Sequence, residues 1–347
     1  MIEKVRAALL SWFDSGRRDL PWRKTRDPYA IWVAEMMLQQ TQVRTVVPYY
    51  QRFLARFPTV RKLARASVDE VLEAWAGLGY YGRARNLHAA AREVVDHHRG
   101  KLPEDEAALR ALPGIGRYTA GAIASIAFGR AAPVLDGNAA RVLARLVAHD
   151  GTPSLLWPLA ADLVPPDRPG DFNQALMELG ATVCTPRDPT CLICPLAVLC
   201  EARRQGRTGE LPRPRRRARP REASAACAIV ERGAQWLVAK RPPHGLLGGL
   251  WEFPTFDLAD GEEPAAVAER ALRFDLGVEA VAIERLRPVR HAFSHLRLRV
   301  EPVRFEWRGG RLKSGRYPSV RFAGARAIDR LALSALARKV LDRLRGS

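Results

Sequence analysis

The stretch that most constrains this chain is Leu112-Pro113-Gly114-Ile115-Gly116-Arg117-Tyr118-Thr119-Ala120, followed by an apolar run and then by Val134-Leu135-Asp136-Gly137-Asn138. Leu109 and Leu112 close an amphipathic helix, and Pro113 stops it because its ring removes a backbone donor. Gly114 and Gly116 permit a tight turn with positive φ. A second helix is predicted to begin near Arg117. The unpaired N–H groups at its start point out of the hairpin, where they suit a phosphate. A glycine-capped turn between two packed helices is the simpler use of these residues. The fixed spacing of Leu-Pro-Gly-Ile-Gly before Thr-Ala favours grip on a nucleic-acid backbone.

Charge points the same way. Lys and Arg number 56 against 37 Asp and Glu, a net charge of +19 over 347 residues. Such an excess implies a polyanionic partner. A codon bias toward arginine explains the choice of arginine over lysine but not the size of the imbalance. The length suggests two domains, and 47% hydrophobic residues are enough for a core in each. No apolar run is long enough to span a membrane, and the N-terminus lacks a signal-peptide pattern. A cytosolic protein is expected. Five cysteines in that compartment point to metal or catalysis before disulfides.

From the N-terminus, residues 2–15 read as an amphipathic helix stopped by Gly16. Asp19-Leu20-Pro21-Trp22-Arg23 follows as a loop, and Tyr29 to Gln42 reads as an apolar helix. Glu35 has apolar neighbours on both sides, which fits a carboxyl of raised pKa. It fits equally a carboxylate on a solvated face or one paired with an arginine. Ser67-Val68-Asp69-Glu70 is a capping box. Its helix ends at Gly77-Leu78-Gly79, before Tyr80-Tyr81-Gly82-Arg83. Taken alone, that segment reads as an ordinary turn with packed tyrosines, although glycines beside tyrosine and arginine also suit bases and phosphates. Another helix lies near Phe172 to Val183, and no strand pattern precedes about residue 223, so this half is all-α.

Asp136 stands where a helix N-cap is common. It can also be an ionised carboxylate facing a substrate. Two carboxylates in unlike environments, Glu35 apolar and Asp136 at a helix start, fit glycosidic-bond cleavage: one protonates the leaving group and the other stabilises a sugar cation. Cys184, Cys191, Cys194 and Cys200 form C-x6-C-x2-C-x5-C, a strong metal pattern that allows zinc or a [4Fe–4S] cluster. Cys227 reads as inert core.

Arg203 to Arg221 is rich in Arg and Pro and reads as an extended linker. Beyond it the periodicity changes. Ala223 to Val230 and Gln235 to Lys240 are predicted to pair around Gly233, with further strands at Leu250–Pro254, Val278–Val289 and Leu296–Glu306. Helices are expected over Glu263–Phe274 and Ser334–Leu344. This half is α+β.

Taken together these motifs resemble the MutY family of the endonuclease III superfamily, and the resemblance covers the whole chain. The cysteine pattern matches that superfamily's [4Fe–4S] loop. Leu-Pro-Gly-Ile-Gly and Leu-Asp-Gly-Asn match its hairpin and catalytic aspartate, and Ala34-Glu35-Met36-Met37-Leu38-Gln39-Gln40-Thr41 matches its catalytic-acid element. The second half is similar to a Nudix-like recognition domain. The resemblance implies an all-α helix–hairpin–helix glycosylase domain with an iron–sulfur loop over 1–205, a linker over 206–222 and a Nudix-like α+β domain over 223–347.

It also implies roles. Glu35 protonates adenine at N7, Asp136 stabilises the oxocarbenium-like sugar, and Tyr118 and Asn138 hold Asp136 and the sugar. Trp22, Arg23 and Gln174 line the adenine pocket. Gly114 and Gly116 approach the DNA backbone, and Gln40 and Tyr80 wedge into the duplex. Phe293-Ser294-His295 checks 8-oxoguanine on the opposite strand. The implied partner is double-stranded DNA carrying A:8-oxoguanine or A:G, bound by a monomer at the bacterial nucleoid. The adenine must be flipped out of the duplex first.

Three other readings compete with this one. A glycosylase with lyase activity of the endonuclease III type carries a Schiff-base lysine after Gly-x-Gly-Arg, where this chain has Tyr118, which cannot form an imine. A Nudix hydrolase needs a Glu-rich metal-binding helix. Aligned on Gly277-Val278, this chain keeps Glu262 and Arg270 but has Ala271 and Phe274 in place of metal-binding glutamates, with Asp275 nearby. A non-enzymatic DNA-binding protein does not account for both carboxylates standing in their motifs.

Overall fold

In the computed structural model, residues 1–213 and 219–346 are described. The chain divides into two units, Met1–Arg65 with Asn86–Arg216, and Ala66–Arg85 with Arg217–Ser347.

In the first unit the described residues form helices and short turns and no strand. The Ile2–Gly16 helix buries Val5, Leu9 and Phe13, one residue per turn, as the apolar stripe requires. They pack with Leu143, Phe172, Leu176 and Leu179. The Pro28–Leu38 helix is buried on all sides from Tyr29 to Met37. It ends earlier than the expected Gln42, because Gln40 takes a left-handed backbone (φ 58) and Val43 opens a new helix. Thr119 to Ile126 of the Arg117–Phe128 helix are likewise buried. Ile31 meets Ala122 and Ile126 in one core cluster.

The second unit contains the capping-box helix Val68–Trp75, with both Ser67–Glu70 bonds formed, and an eight-stranded sheet. The strands are β1 Arg221–Arg232, β2 Gln235–Lys240, β3 Trp251–Glu252, β4 Thr255–Leu258, β5 Val278–Arg285, β6 Val289–Ala292, β7 Leu296–Gly310 and β8 Ser319–Gly324. The order is β3-β2-β1-β7-β5. β4 also pairs with β1, β6 with β7 and β8 with β2. β1 and β2 form the expected hairpin, while β1 runs parallel to β7 from Arg221↔Leu296 to Glu231↔Glu306. Alternation sorts β1 between two cores: Cys227 and Ile229 face the Ala335–Arg345 helix, and Ala226, Ala228 and Val230 face the Pro264–Leu276 helix.

The single strand expected over Val278–Val289 is two, β5 and β6. Pro288 lies in the break, and it has no N–H to continue a ladder. β4 and β8 escaped the sequence reading: each is short, and the alternation of Thr-Phe-Asp-Leu and Ser-Val-Arg-Phe spans only four residues. The segment read as an extended linker falls partly on 214–218, outside the described residues. On its flanks, Glu201–Arg204 is helical, Leu211 is buried and Arg221 opens β1.

Candidate active site and nucleic-acid interface

Glu35 is 4% exposed, so it is not on a solvated face, and among the described residues no cationic side chain pairs with it directly. Its Oε2 accepts the Tyr118 hydroxyl at 2.6 Å. Burial pushes its carboxyl up to about 7, with the charge of Asp136 adding to the rise and Tyr118 and Arg23 opposing it. A group of that kind holds a proton near neutral pH and can give it up. Tyr118 donates to Glu35 and touches Met177 Sδ at 3.2 Å. The expectation that it holds Asp136 is therefore corrected. Burial and the two carboxylates push its hydroxyl well above the ordinary range, so it remains a donor.

Asp136 is the N-cap of the Gly137–Leu146 helix. Oδ1 accepts from Asn138 N at 3.0 Å and Ala139 N at 2.7 Å, and Oδ2 accepts Asn138 Nδ2 at 3.0 Å. The N-cap role and an ionised carboxylate at this position are thus compatible in one geometry. Burial raises its pKa, while these bonds and Arg141 lower it. Arg141 Nη2 donates to Asn138 Oδ1 at 2.8 Å and to the Gly180 carbonyl at 2.7 Å, and Nε donates to the Cys184 carbonyl at 2.7 Å. Asn173, buried on the Pro169–Thr182 helix, donates to Ser125 Oγ and the Ala132 carbonyl, both at 2.8 Å, and so ties down the segment that leads to Asp136.

Trp22, Arg23 and Gln174 line one cavity of about 110 Å³, together with Ser125, Ile126 and Gly170. The sequence reading missed Glu178, which accepts Arg18 at 2.5 Å and Arg23 at 2.9 Å. Burial alone would raise its carboxyl, but the two arginines outweigh burial and bring it down to about 2. It fixes Arg23 beside Glu35. The only sequence signal is its position one helical turn past Gln174.

At the hairpin, only Gly114 takes a positive φ (76), so the expectation of two such glycines is corrected. A Cβ there would stand 2.5 Å from Asn86 Cβ. Gly116 is the N-cap of the Arg117–Phe128 helix with φ −86, and nothing lies within 4 Å of a Cβ built on it. Neither backbone nor packing requires glycine at 116. The space beside it at the helix N-terminus is open.

Cys184, Cys191, Cys194 and Cys200 line one small cavity with Arg145. Among the described residues, no three His, Cys, Asp or Glu side chains converge on a single metal position. Burial pushes the Cys194 thiol up to about 11, and the other three cysteines add to the rise. Four thiolates can share such a cavity only with cationic compensation, which Zn²⁺ or an iron–sulfur cluster would supply. Arg145 Nη1 donates to Cys184 Sγ at 3.3 Å, and its Nε donates to the Leu211 carbonyl at 2.7 Å.

In the second unit, Tyr80 and Phe293-Ser294-His295 line one cavity of about 740 Å³. The three residues form the turn between β6 and β7, closed by Phe293 N to the Leu296 carbonyl at 2.7 Å. Phe293 packs edge-on against His291, with ring centres 4.6 Å apart. Tyr80 is 48% exposed and, like Gln40, has a left-handed backbone without being glycine. Such backbone strain recurs at functional sites.

Residues 33–161 match the family described as HhH-GPD superfamily base excision DNA repair protein, and residues 225–343 match the NUDIX domain. Over 399 residues the chain is 40% identical to the adenine DNA glycosylase of Rattus norvegicus, covering 98% of this chain and 77% of that protein. It is 43% identical to the human adenine DNA glycosylase, over 86% of this chain and 66% of the human one. The adenine DNA glycosylase of Buchnera aphidicola subsp. Schizaphis graminum is 32% identical, with 85% of each chain covered. The chain belongs to the adenine DNA glycosylase family. Among solved structures, a thermostable thymine-DNA glycosylase is 32% identical with a TM-score of 0.55, covering 58% of this chain and 98% of that one. A trapped endonuclease III–DNA covalent intermediate, 24% identical with a TM-score of 0.52 over 59% of this chain and 98% of that one, shares the helical fold. Among the described residues of this family member, no helix is long and apolar enough to cross a membrane.

Proposed function

We propose that this chain removes adenine paired with 8-oxoguanine or G in duplex DNA by hydrolysing its N-glycosidic bond. The observation that carries the reading is the pairing of Glu35, held near a pKa of about 7 under the Tyr118 hydroxyl, with Asp136, capped by three hydrogen bonds. Glu35 donates its proton to N7 of the flipped adenine and makes the base a neutral leaving group. Asp136 faces the positive charge that develops on the sugar and stabilises it. Water then completes the hydrolysis. Trp22, Arg23 and Gln174 enclose the base, and Arg23 is kept in place by Glu178. Gly114 and Gly116 shape the hairpin against the DNA backbone. Gln40 and Tyr80 open the duplex, and Phe293, Ser294 and His295 read the opposite base. The domain assignment that goes with this is 1–205 for chemistry and 223–347 for lesion reading, in a monomer acting on nucleoid DNA.

Cys184, Cys191, Cys194 and Cys200 would hold a [4Fe–4S] cluster, which when bound supplies iron–sulfur bonds that tie the 184–200 loop together. Iron and acid-labile sulfide should each be about four per chain. Stoichiometric zinc in protein made with ample iron and without oxygen would contradict the cluster.

The experiment for the reaction is base release from duplexes carrying A:8-oxoguanine, A:G and A:T. Alkali-developed cleavage is expected on the first two. Its absence on A:8-oxoguanine overturns the reading.

A further inference from the structure

We infer that the conformation of the Tyr80 turn is set by two anchors on the sheet half of its own unit, the Asp69–Lys240 ion pair and the Arg85–Gly248 hydrogen bond, and that these anchors tune the preference for the opposite base. The inference rests on the proposed duplex-opening role of Tyr80 and on the cavity it shares with Phe293, Ser294 and His295, the residues proposed to read the opposite base.

The turn is costly to hold. Tyr80 has a positive φ of 49, a strained value for a non-glycine residue, while Gly77 and Gly79 take theirs of 103 and 73 freely. Trp75 Nε1 and Arg83 Nη2 both donate to the Gly79 carbonyl, at 3.2 and 3.1 Å, and Gly77 N donates to the Tyr81 hydroxyl at 3.1 Å. The Arg83 guanidinium stands 5.4 Å from the ring centres of both Trp75 and Tyr80. A non-glycine residue in that region persists only where its surroundings over-determine it.

The surroundings come from both sides of the turn. Before it, Asp69 in the first turn of the Val68–Trp75 helix accepts Lys240 Nζ, at the end of β2, at 2.5 Å. After it, Arg85 Nη1 donates to the Gly248 carbonyl. Between these anchors, a Cβ built on Gly249 (φ 76) would lie 3.3 Å from Leu72 Cδ1, so a glycine permits close approach there. Neither anchor contains Tyr80, Phe293, Ser294 or His295, yet Arg85 and Gly248 also line the cavity those residues share. Asp69, Lys240 and Arg85 are therefore positioning residues.

The test uses the full-length chain in single-turnover excision from A:8-oxoguanine and A:G at matched salt. Lys240→Glu should lower the ratio of the two rates about fivefold, within what a partly exposed polar contact supplies, while A:G excision stays within about twofold; Arg85→Gln, whose side chain also lines the cavity, should lower the ratio by a similar factor. The charge-exchanged double variant Asp69→Lys/Lys240→Glu should recover at least about half of the lost ratio, which a lost DNA contact would not do. Hydrogen exchange over residues 77–85 should quicken in Lys240→Glu and slow again in the exchanged pair. An unchanged ratio in both single variants overturns the inference, as does an equal loss on both duplexes or no recovery in the double variant. If the unaltered chain shows no preference for 8-oxoguanine, the lesion-reading role fails first. The exchange data then decide the anchors alone, and unchanged protection overturns them.

Discussion

The Tyr118 hydroxyl reaches Glu35 Oε2 at 2.6 Å across 83 residues of sequence. It joins the first turn of the helix after the hairpin to a helix buried on all sides. The contact ties the hairpin directly to the buried carboxyl. It also gives this buried acid a neutral donor, too little to offset the cost of burying a charge.

The pH dependence follows from that. A carboxyl raised by the fold keeps its proton to higher pH, so the general acid is present below about 7 and lost above it. Single-turnover excision should fall toward tenfold per pH unit well above that value, between about pH 8 and 9. Glu35→Gln should bind the mispair while excision drops by about 10²-fold or more. A flat profile, or near-normal excision by the variant, removes Glu35 from the chemistry.

The two hairpin glycines should separate stability from binding. Gly114→Ala forces a side chain into a positive φ and against Asn86 and should cost about 1–3 kcal/mol in denaturant unfolding. Gly116→Ala meets open space at an ordinary φ, so stability should change by less than about 0.5 kcal/mol. Its affinity for duplex DNA should fall all the same, because the added methyl sits where a phosphate approaches. Wild-type binding by Gly116→Ala would move the DNA contact away from the hairpin.

Glu178→Gln should destabilise the chain by about 1–3 kcal/mol, since it leaves the largely buried Arg23 and the more exposed Arg18 facing a neutral partner. Glu178 is held at about 2, below its ordinary 4.5. A carboxyl lowered by the fold adds stability above the unfolded value and loses it as pH falls. The gap between wild type and variant should therefore be full above about 4.5 and shrink toward pH 2. Unfolding at a series of pH values measures it, and a constant gap would assign the loss to packing.

Replacing Phe293, Ser294 and His295 together by alanine should leave excision opposite G nearly intact. The preference for 8-oxoguanine should shrink, because discrimination is a difference between two binding free energies. Rates on the two duplexes at matched salt decide it, since arginine-rich surfaces add unspecific affinity. An unchanged ratio would place lesion reading in the other unit.

By itself the sequence determined the local grammar of this protein. The capping box at Ser67, the stop at Gly16, the β1–β2 hairpin and the start of the helix after Gly116 all depend on a few neighbouring residues, and all formed as read. The cysteine spacing and the two carboxylates were visible as candidates for the same reason. What the sequence left open needed partners distant in the chain. Glu35 could have been solvated, paired or buried, and only the closure of helices around it decided burial and a raised pKa. Tyr118 was assigned to Asp136 and the fold gave it to Glu35, since a hydroxyl's partner is whichever acceptor tertiary packing brings within reach. Glu178 carried no motif because its role lies in two arginines about 155 residues away. The Tyr80 turn read as an ordinary connection. Its anchors, Lys240 and Gly248, lie beyond the Arg/Pro-rich stretch, and no local pattern encodes a contact whose two halves meet only when the chain has folded.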